Sequence, residues 1–320
     1  MNHYYSVDAL NFSFLKFFLN ADPFYSISQW EQNKDNSRLY FEEREHLNRG
    51  SLLDCLVTTP ELYDDYYSDK IIEKKPPDKL KSVIKYLFDT RQSDLMYDLD
   101  DETILSALDN EEFYHSNRKE NGKLEAGGRD EEWRIQQVFN WEDYWEFLYE
   151  TKGKTLLSRD EIDLALKGYN HIMEKYETII NNSHKQVAIY QKMFGFSCKG
   201  LLDLLYEHNG KLHVIDLKST SEPLYKIPYL LKDKKWVFQV VWYSLLLKKK
   251  YPEQTVGNPS LLISSTTDLA NPQLVTISTK DLMIALSGNE KTPGIIGAIE
   301  NYKAYLNGKR FKYDKSNLWK

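Results

Sequence analysis

Two cysteines stand in the 320 residues, Cys55 and Cys198. Two thiols cannot hold a four-cysteine iron–sulfur cluster, and they offer no disulfide framework, so a reducing intracellular setting is expected. No apolar run approaches the ~18 residues that a membrane helix needs. The N-terminus lacks a basic stretch followed by an apolar core, so no signal peptide is expected, and the expected location is the cytoplasm (a host's, for a viral chain). No Gly-x-x-x-x-Gly-Lys-Ser/Thr phosphate loop occurs, which removes a fused ATPase motor, and no serine sits in a nucleophile elbow. Internal repeats, low-complexity tracts and Ser/Pro-rich linkers are also missing, so no clean domain boundary shows.

What is present fits a globular chain with a real core: hydrophobic residues make up 41% and aromatic ones 14%. The net charge of −6, from 42 Lys+Arg against 48 Asp+Glu, argues against a protein that coats nucleic acid nonspecifically. The charges are unevenly spread. Acids concentrate in ELYDDYYSD, DLMYDLDDETILSALDNEEF and RDEEW, whereas Lys192, Lys199, Lys226, Lys232, Lys234, Lys235 and Lys248 to Lys250 cluster further along. A local basic patch on an acidic molecule suits an enzyme that must release a polyanion; the alternative is a set of solvated helix faces.

The most informative stretch is KGLLDLLYEHNGKLHVIDLKST, Lys199 to Thr220. Asn209-Gly210 between two apolar runs signals a two-residue hairpin turn. That turn sets the register: His208 faces Lys211, Leu205 faces Val214, and Asp203 falls opposite Asp216. Two carboxylates directly opposed repel, and their apolar neighbours Leu201, Leu202, Leu204, Val214 and Ile215 imply burial, which raises the cost. A divalent cation between them is the simplest remedy, and oxygen-only ligands favour a hard ion over zinc. Lys218, two residues past Asp216, shares its face, as does Lys199, which is placed for a phosphate contact near Thr220.

These residues resemble the core of the PD-(D/E)XK nucleases: Gly200-x-x-Asp203, a hairpin, then Asp216-Leu217-Lys218. The similarity is to the RecB- and RecE-like branch, which includes phage recombination exonucleases. In that branch a Gln-x-x-x-Tyr helix follows the lysine strand, and here Gln239 and Tyr243 stand i and i+4; by spacing alone such a pair reads as core packing. An N-terminal Ser-x-Leu-x-x-Phe…Pro segment is matched by Ser13, Leu15, Phe17 and Pro23. The family's Gly-x-x-x-His helix is matched by Gly50 and Asp54, an aspartate standing where histidine is usual. Residues 153–173 also resemble the helix before the core.

The resemblance implies an α/β fold, a central mixed sheet flanked by helices, and Mg²⁺- or Mn²⁺-dependent hydrolysis of DNA, most simply as an exonuclease in recombination or repair. It implies a metal held by Asp203, Asp216, the Leu217 carbonyl and Asp54, with Lys218, Gln239 and Tyr243 completing the catalytic group. Phage enzymes of this branch work beside a single-strand annealing protein, an implied partner besides DNA; the oligomeric state stays open, a homo-oligomer included. The alternative is a catalytically inactive DNA-binding or assembly module of the same fold.

Along the chain, one domain is expected: an N-terminal helical arm over 1–60, an acidic insert or cap over 61–150, and the nuclease core over 151–320. Apolar spacing predicts helices over 12–18, 37–58 (limited by Pro60), and from a capping box at Ser158–Glu161 to Ile180. Strands are predicted over 187–194, 196–206, 212–219, 259–265 and 273–278. Helices are predicted over 233–250, near Asp281, and over 294–306.

Overall fold

A computed structural model describes residues 4, 6–19, 45–91, 94–114, 119–120, 123–124, 129–233, 235–265, 271–290 and 292–307. The chain divides into two compact units, one formed by Met1–Tyr63 with Arg159–Lys320 and the other by Asp64–Ser158.

The first unit is an α/β layered structure around a mixed sheet. A short helix, Phe12–Leu15, runs into a 3₁₀ turn, Lys16–Leu19. Asn11 caps it by accepting the Phe14 N–H at 2.9 Å. Helix α1 spans Glu45–Thr58, and Pro60 opens the turn after it; the predicted residues 37–44 and Pro23 lie outside the described ones. Helix α2 spans Arg159–Asn181. Three antiparallel strands follow: β1 (Ser183–Met193), β2 (Phe196–His208) and β3 (Lys211–Thr220). Helix α3 (Trp236–Lys250) crosses to β4 (Ser260–Ser265), which pairs parallel to β3, and β5 (Gln273–Thr276) returns antiparallel to β4. The strand order is β5-β4-β3-β2-β1, and helices α4 (Thr279–Ser287) and α5 (Gly294–Leu306) close the chain.

Pleating divides the sheet's side chains between two cores. Val214, Leu261, Ile263 and Ile189 join α3, α5 and the N-terminal Leu10, Phe12, Leu15 and Phe18 on one side. Ile215, Leu204 and Leu262 join Leu53 and Val57 of α1 and Ile172 of α2 on the other. The two cysteines are free and buried, Cys55 on α1 and Cys198 on β2.

The second unit is helical, with segments Asp78–Thr90, Asp101–Asn110, Glu131–Phe139 and Glu142–Glu150. It has its own apolar centre, which includes Leu80, Ile84, Leu87, Ile104, Leu108, Val138 and Trp145. Its acids serve local structure: Asp100 and Asp130 cap helices by accepting the N–H groups of Thr103 and Trp133, and Asp109 accepts from the buried Arg134 at 2.5 Å.

Candidate active site

The Asn209-Gly210 turn sits where it was read, with both residues at positive φ (51° and 69°), the geometry of a two-residue hairpin turn. The pairs it dictates, His208–Lys211 and Leu205–Val214, are those of the structure. The ladder runs as far as Leu204–Ile215 and stops one step short of Asp203 and Asp216. There the Leu217 N–H donates to Asp203 Oδ2 at 2.8 Å, so a carboxylate takes the place of a ladder carbonyl. Alternation breaks at the same point. Leu202 and Leu205 belong to one core and Leu204 to the other, and Gln186, opposite in register on β1, holds a left-handed φ of 50°. The sheet therefore parts where the acids are.

The N-terminal segment uses the freed strand. Leu10 bridges parallel to Cys198, its N–H donating to the Ser197 carbonyl and its carbonyl accepting the Lys199 N–H. Lys199 is where the reading of that residue is corrected. It is 5% exposed, and its ammonium donates to the carbonyls of Tyr4 (2.9 Å) and Val7 (2.6 Å). Strand alternation could not show that another segment would cover it, and it anchors that segment instead of facing a phosphate.

Asp216 is 1% exposed, and among the described residues its charged partner is Lys218, with Nζ 2.5 Å from Oδ2. Lys218 also donates to the Leu217 carbonyl at 3.1 Å. Burial and then the charges of Asp216 and Asp54 push the Asp203 carboxyl well above the ordinary carboxylate range. Burial raises Asp54 to about 6; Lys218 opposes this and Asp216 adds to it. For Lys218 burial works downward, but Asp216, Asp203 and Asp54 outweigh it and hold the ammonium above its usual value. These four groups form one electrostatic unit.

Asp54 enters from α1. A Cβ at Gly50, one turn earlier, would collide with Ser219 Oγ, so the missing side chain lets the helix approach β3. Gly50, Ser51 and Asp54 line a cavity of about 490 Å³ together with Leu217, Lys218 and Ser219 to Glu222. Tyr243, on α3, reaches the acids from the other side: burial first, then Asp216 and Asp203, raise its hydroxyl well above the tyrosine range. Gln239 Nε2 donates to Tyr243 Oη at 2.9 Å. Gly200 lies beneath that ring; a Cβ there would stand 2.9 Å from Tyr243 Cδ1 and 2.7 Å from Leu246 Cδ1. The structure thus gathers Asp54, Asp203, Asp216, Leu217, Lys218, Tyr243 and Gln239, and leaves Lys199 apart.

Two features escaped the sequence reading. Lys16 lies close enough for its pKa to be lowered by burial and then by the charge of Lys218; its position inside the Ser13–Phe17 motif was the available signal. Trp236, the first residue of α3, lines the cavity.

Residues 111–285, more than half of the chain, match the PD-(D/E)XK nuclease superfamily. The chain belongs to that superfamily. Members of the superfamily are generally nucleases, and Asp203, Asp216 and Lys218 lie within the matched residues. No curated protein sequence matches the chain. Among solved structures, a candidate exonuclease from Eubacterium rectale is similar at 15% identity and a TM-score of 0.37, over 55% of this chain and 64% of that one. A Vibrio cholerae protein is similar at 15% identity and a TM-score of 0.18, over 82% of this chain and 56% of that one. The chain thus spans less than two thirds of either structure's length.

Among the described residues, no group of three His, Cys, Asp or Glu side chains is drawn closely enough to hold an ion alone. The donors present still suit a hard cation. Mg²⁺ is commonly held by one or two carboxylates, with substrate phosphate and water completing the shell. Asp216 offers two buried oxygens, one of them paired with the Lys218 ammonium.

Proposed function

We propose that this centre hydrolyses phosphodiester bonds in DNA with Mg²⁺ or Mn²⁺, and that the chain is an exonuclease of the RecB/RecE-like branch serving recombination or repair. The observation that carries the reading is the parted hairpin: half-buried Asp203 and buried Asp216 lie one step past the end of the ladder and act on each other electrostatically, and among the described residues Lys218 is the cation paired with Asp216. Such a pair is costly unless further positive charge arrives, and a structural role offers no return for that cost.

Asp203, Asp216 and the Leu217 carbonyl would hold the ion, with Asp54 as the added carboxylate. When bound, a divalent cation supplies Lewis-acid polarisation and neutralises phosphate charge. The chain's own residues do the rest. Lys218, held charged by its acidic neighbours, places a proton donor at the cavity wall and stabilises negative charge developing on the phosphate. Its ion pair with Asp216 keeps Nζ fixed before substrate enters, so little reorganisation is needed. Tyr243, kept neutral, closes the far side of the acid pair, and Gln239 fixes its hydroxyl.

The test is a digestion series on linear, nicked and closed circular DNA, with Mg²⁺, with Mn²⁺ and with chelator. Degradation of linear DNA with metal and survival of closed circles is the expected pattern. Cutting of closed circles would make the enzyme an endonuclease, and no cutting with any metal would remove the activity.

A further inference from the structure

The chain leaving Lys218 carries two tyrosines that the centre does not use. Thr220, Ser221 and Glu222 line the cavity, and the same connection continues through a 3₁₀ turn, Leu224–Lys226, into a helix, Ile227–Asp233. Ile227 and Leu230 are buried in the sheet's core, and Leu224 packs against it. Tyr225 and Tyr229 are 77% and 69% exposed. Among the described exposed large hydrophobic residues, only Ile71 at 74% separates them in rank. A single exposed tyrosine needs no explanation. Two of the most exposed lie four residues apart across the junction of the turn and the helix, on a segment whose Leu224, Ile227 and Leu230 are anchored in the core. Trp236, at the start of α3, brings a third aromatic ring to the cavity wall. Lys226 lies between the tyrosines in sequence. Its Nζ is 2.6 Å from Glu222 Oε2, with side chains 43% and 45% exposed, so this is an open, screened pair whose cation stays available.

We propose that Tyr225 and Tyr229 stack the bases of an unpaired nucleic-acid strand leading into the Lys218 cavity, with Lys226 contacting its phosphates. The proposal rests on the nuclease reading and narrows its substrate to single-stranded DNA or a frayed end. Bases offer their faces to an aromatic ring only when unpaired, since a duplex presents phosphates and groove edges instead. Stacking of this kind tolerates any sequence, because every base has a π-face.

Fluorescence anisotropy tests it, with a short labelled oligothymidine and a blunt duplex of the same length, in chelator so that nothing is cut. Against wild type, Tyr225→Ala/Tyr229→Ala should lose at least about tenfold in affinity for oligothymidine, the scale of a lost base stack. Its duplex affinity should hold, and Tyr225→Phe/Tyr229→Phe should restore strand binding. An unchanged melting temperature of the alanine variant excludes misfolding as the cause. Equal oligothymidine affinity in wild type and the alanine variant, or no strand binding by wild type, overturns the platform. Tyrosine-dependent strand binding without metal-dependent cleavage by wild type would overturn the nuclease reading and leave the platform standing.

Discussion

Asp100 and Asp203 are the same side chain in two regions of the molecule, and their surroundings treat them oppositely. In the helical unit, Asp100 is exposed, and the Thr103 hydroxyl and N–H donate to its oxygens at 2.7 and 2.8 Å. Those bonds lower its pKa. In the sheet unit, Asp203 is half-buried and accepts from the Leu217 N–H, and desolvation with two neighbouring carboxylates drives its pKa up. Local geometry stabilises the first as an anion; the second needs a counter-charge from elsewhere. Abundance of acid does not mark a site. The acid-rich stretch contributes helix caps and surface, whereas the proposed centre draws on three aspartates, one each from β2, β3 and α1.

The sharpest way to break this contrast is at Lys218, the cation the buried acids already share. Lys218→Ala should lower cleavage by at least ~10²-fold while metal and DNA binding persist, as for loss of one electrostatic group. Parallel loss of DNA binding would make the lysine a phosphate anchor instead. The aspartates themselves come next. Mg²⁺ or Mn²⁺ should raise the wild-type melting temperature by binding only the native state, and Asp203→Asn should shrink that increment. Asp100→Ala should keep the full increment and lower the melting temperature only through the lost cap. Equal metal increments in wild type and Asp203→Asn would erase the distinction between the two regions.

How far this was legible in the sequence depends on how local each signal was. The Asn209-Gly210 turn fixes its own register, so pairing from His208–Lys211 as far as Leu204–Ile215 followed from two residues and the apolar alternation, whereas the direct Asp203–Asp216 pair expected from the same register is not part of the ladder. Gly50 and Asp54 were readable as a pair one helical turn apart, because the match to the family's Gly-x-x-x-His helix is local in sequence. The break in alternation at Asp203, the Leu10–Cys198 bridge and the covering of Lys199 were not readable. Each depends on backbone groups distant in sequence, which leave no periodic trace. In the helical unit, each segment is too short for its spacing to reveal that the segments share one core.

Smaller effects sharpen the picture. Gly200→Ala should cost roughly 1–3 kcal/mol, because a methyl presses on Tyr243 and Leu246; chemical denaturation measures it, and an unchanged midpoint would mean that α3 yields freely. A pH series supplies the smallest. Asp54 has a folded pKa near 6, above its ordinary value of 3.8, so the folded state holds a proton that the unfolded chain has released. Its contribution is complete below about pH 4 and is lost as pH rises through 6. Metal-free wild type should therefore lose melting temperature across that window relative to Asp54→Asn, and parallel profiles for the two proteins would contradict the assignment.

The most direct test is cleavage of an end-labelled linear DNA by wild type and Asp216→Asn, each with Mg²⁺, with Mn²⁺ and with excess chelator. The account predicts products from wild type with metal alone, and none from Asp216→Asn under any condition, while both proteins melt cooperatively. Wild-type cleavage that survives chelation, or Asp216→Asn cleaving at the wild-type rate, would contradict it.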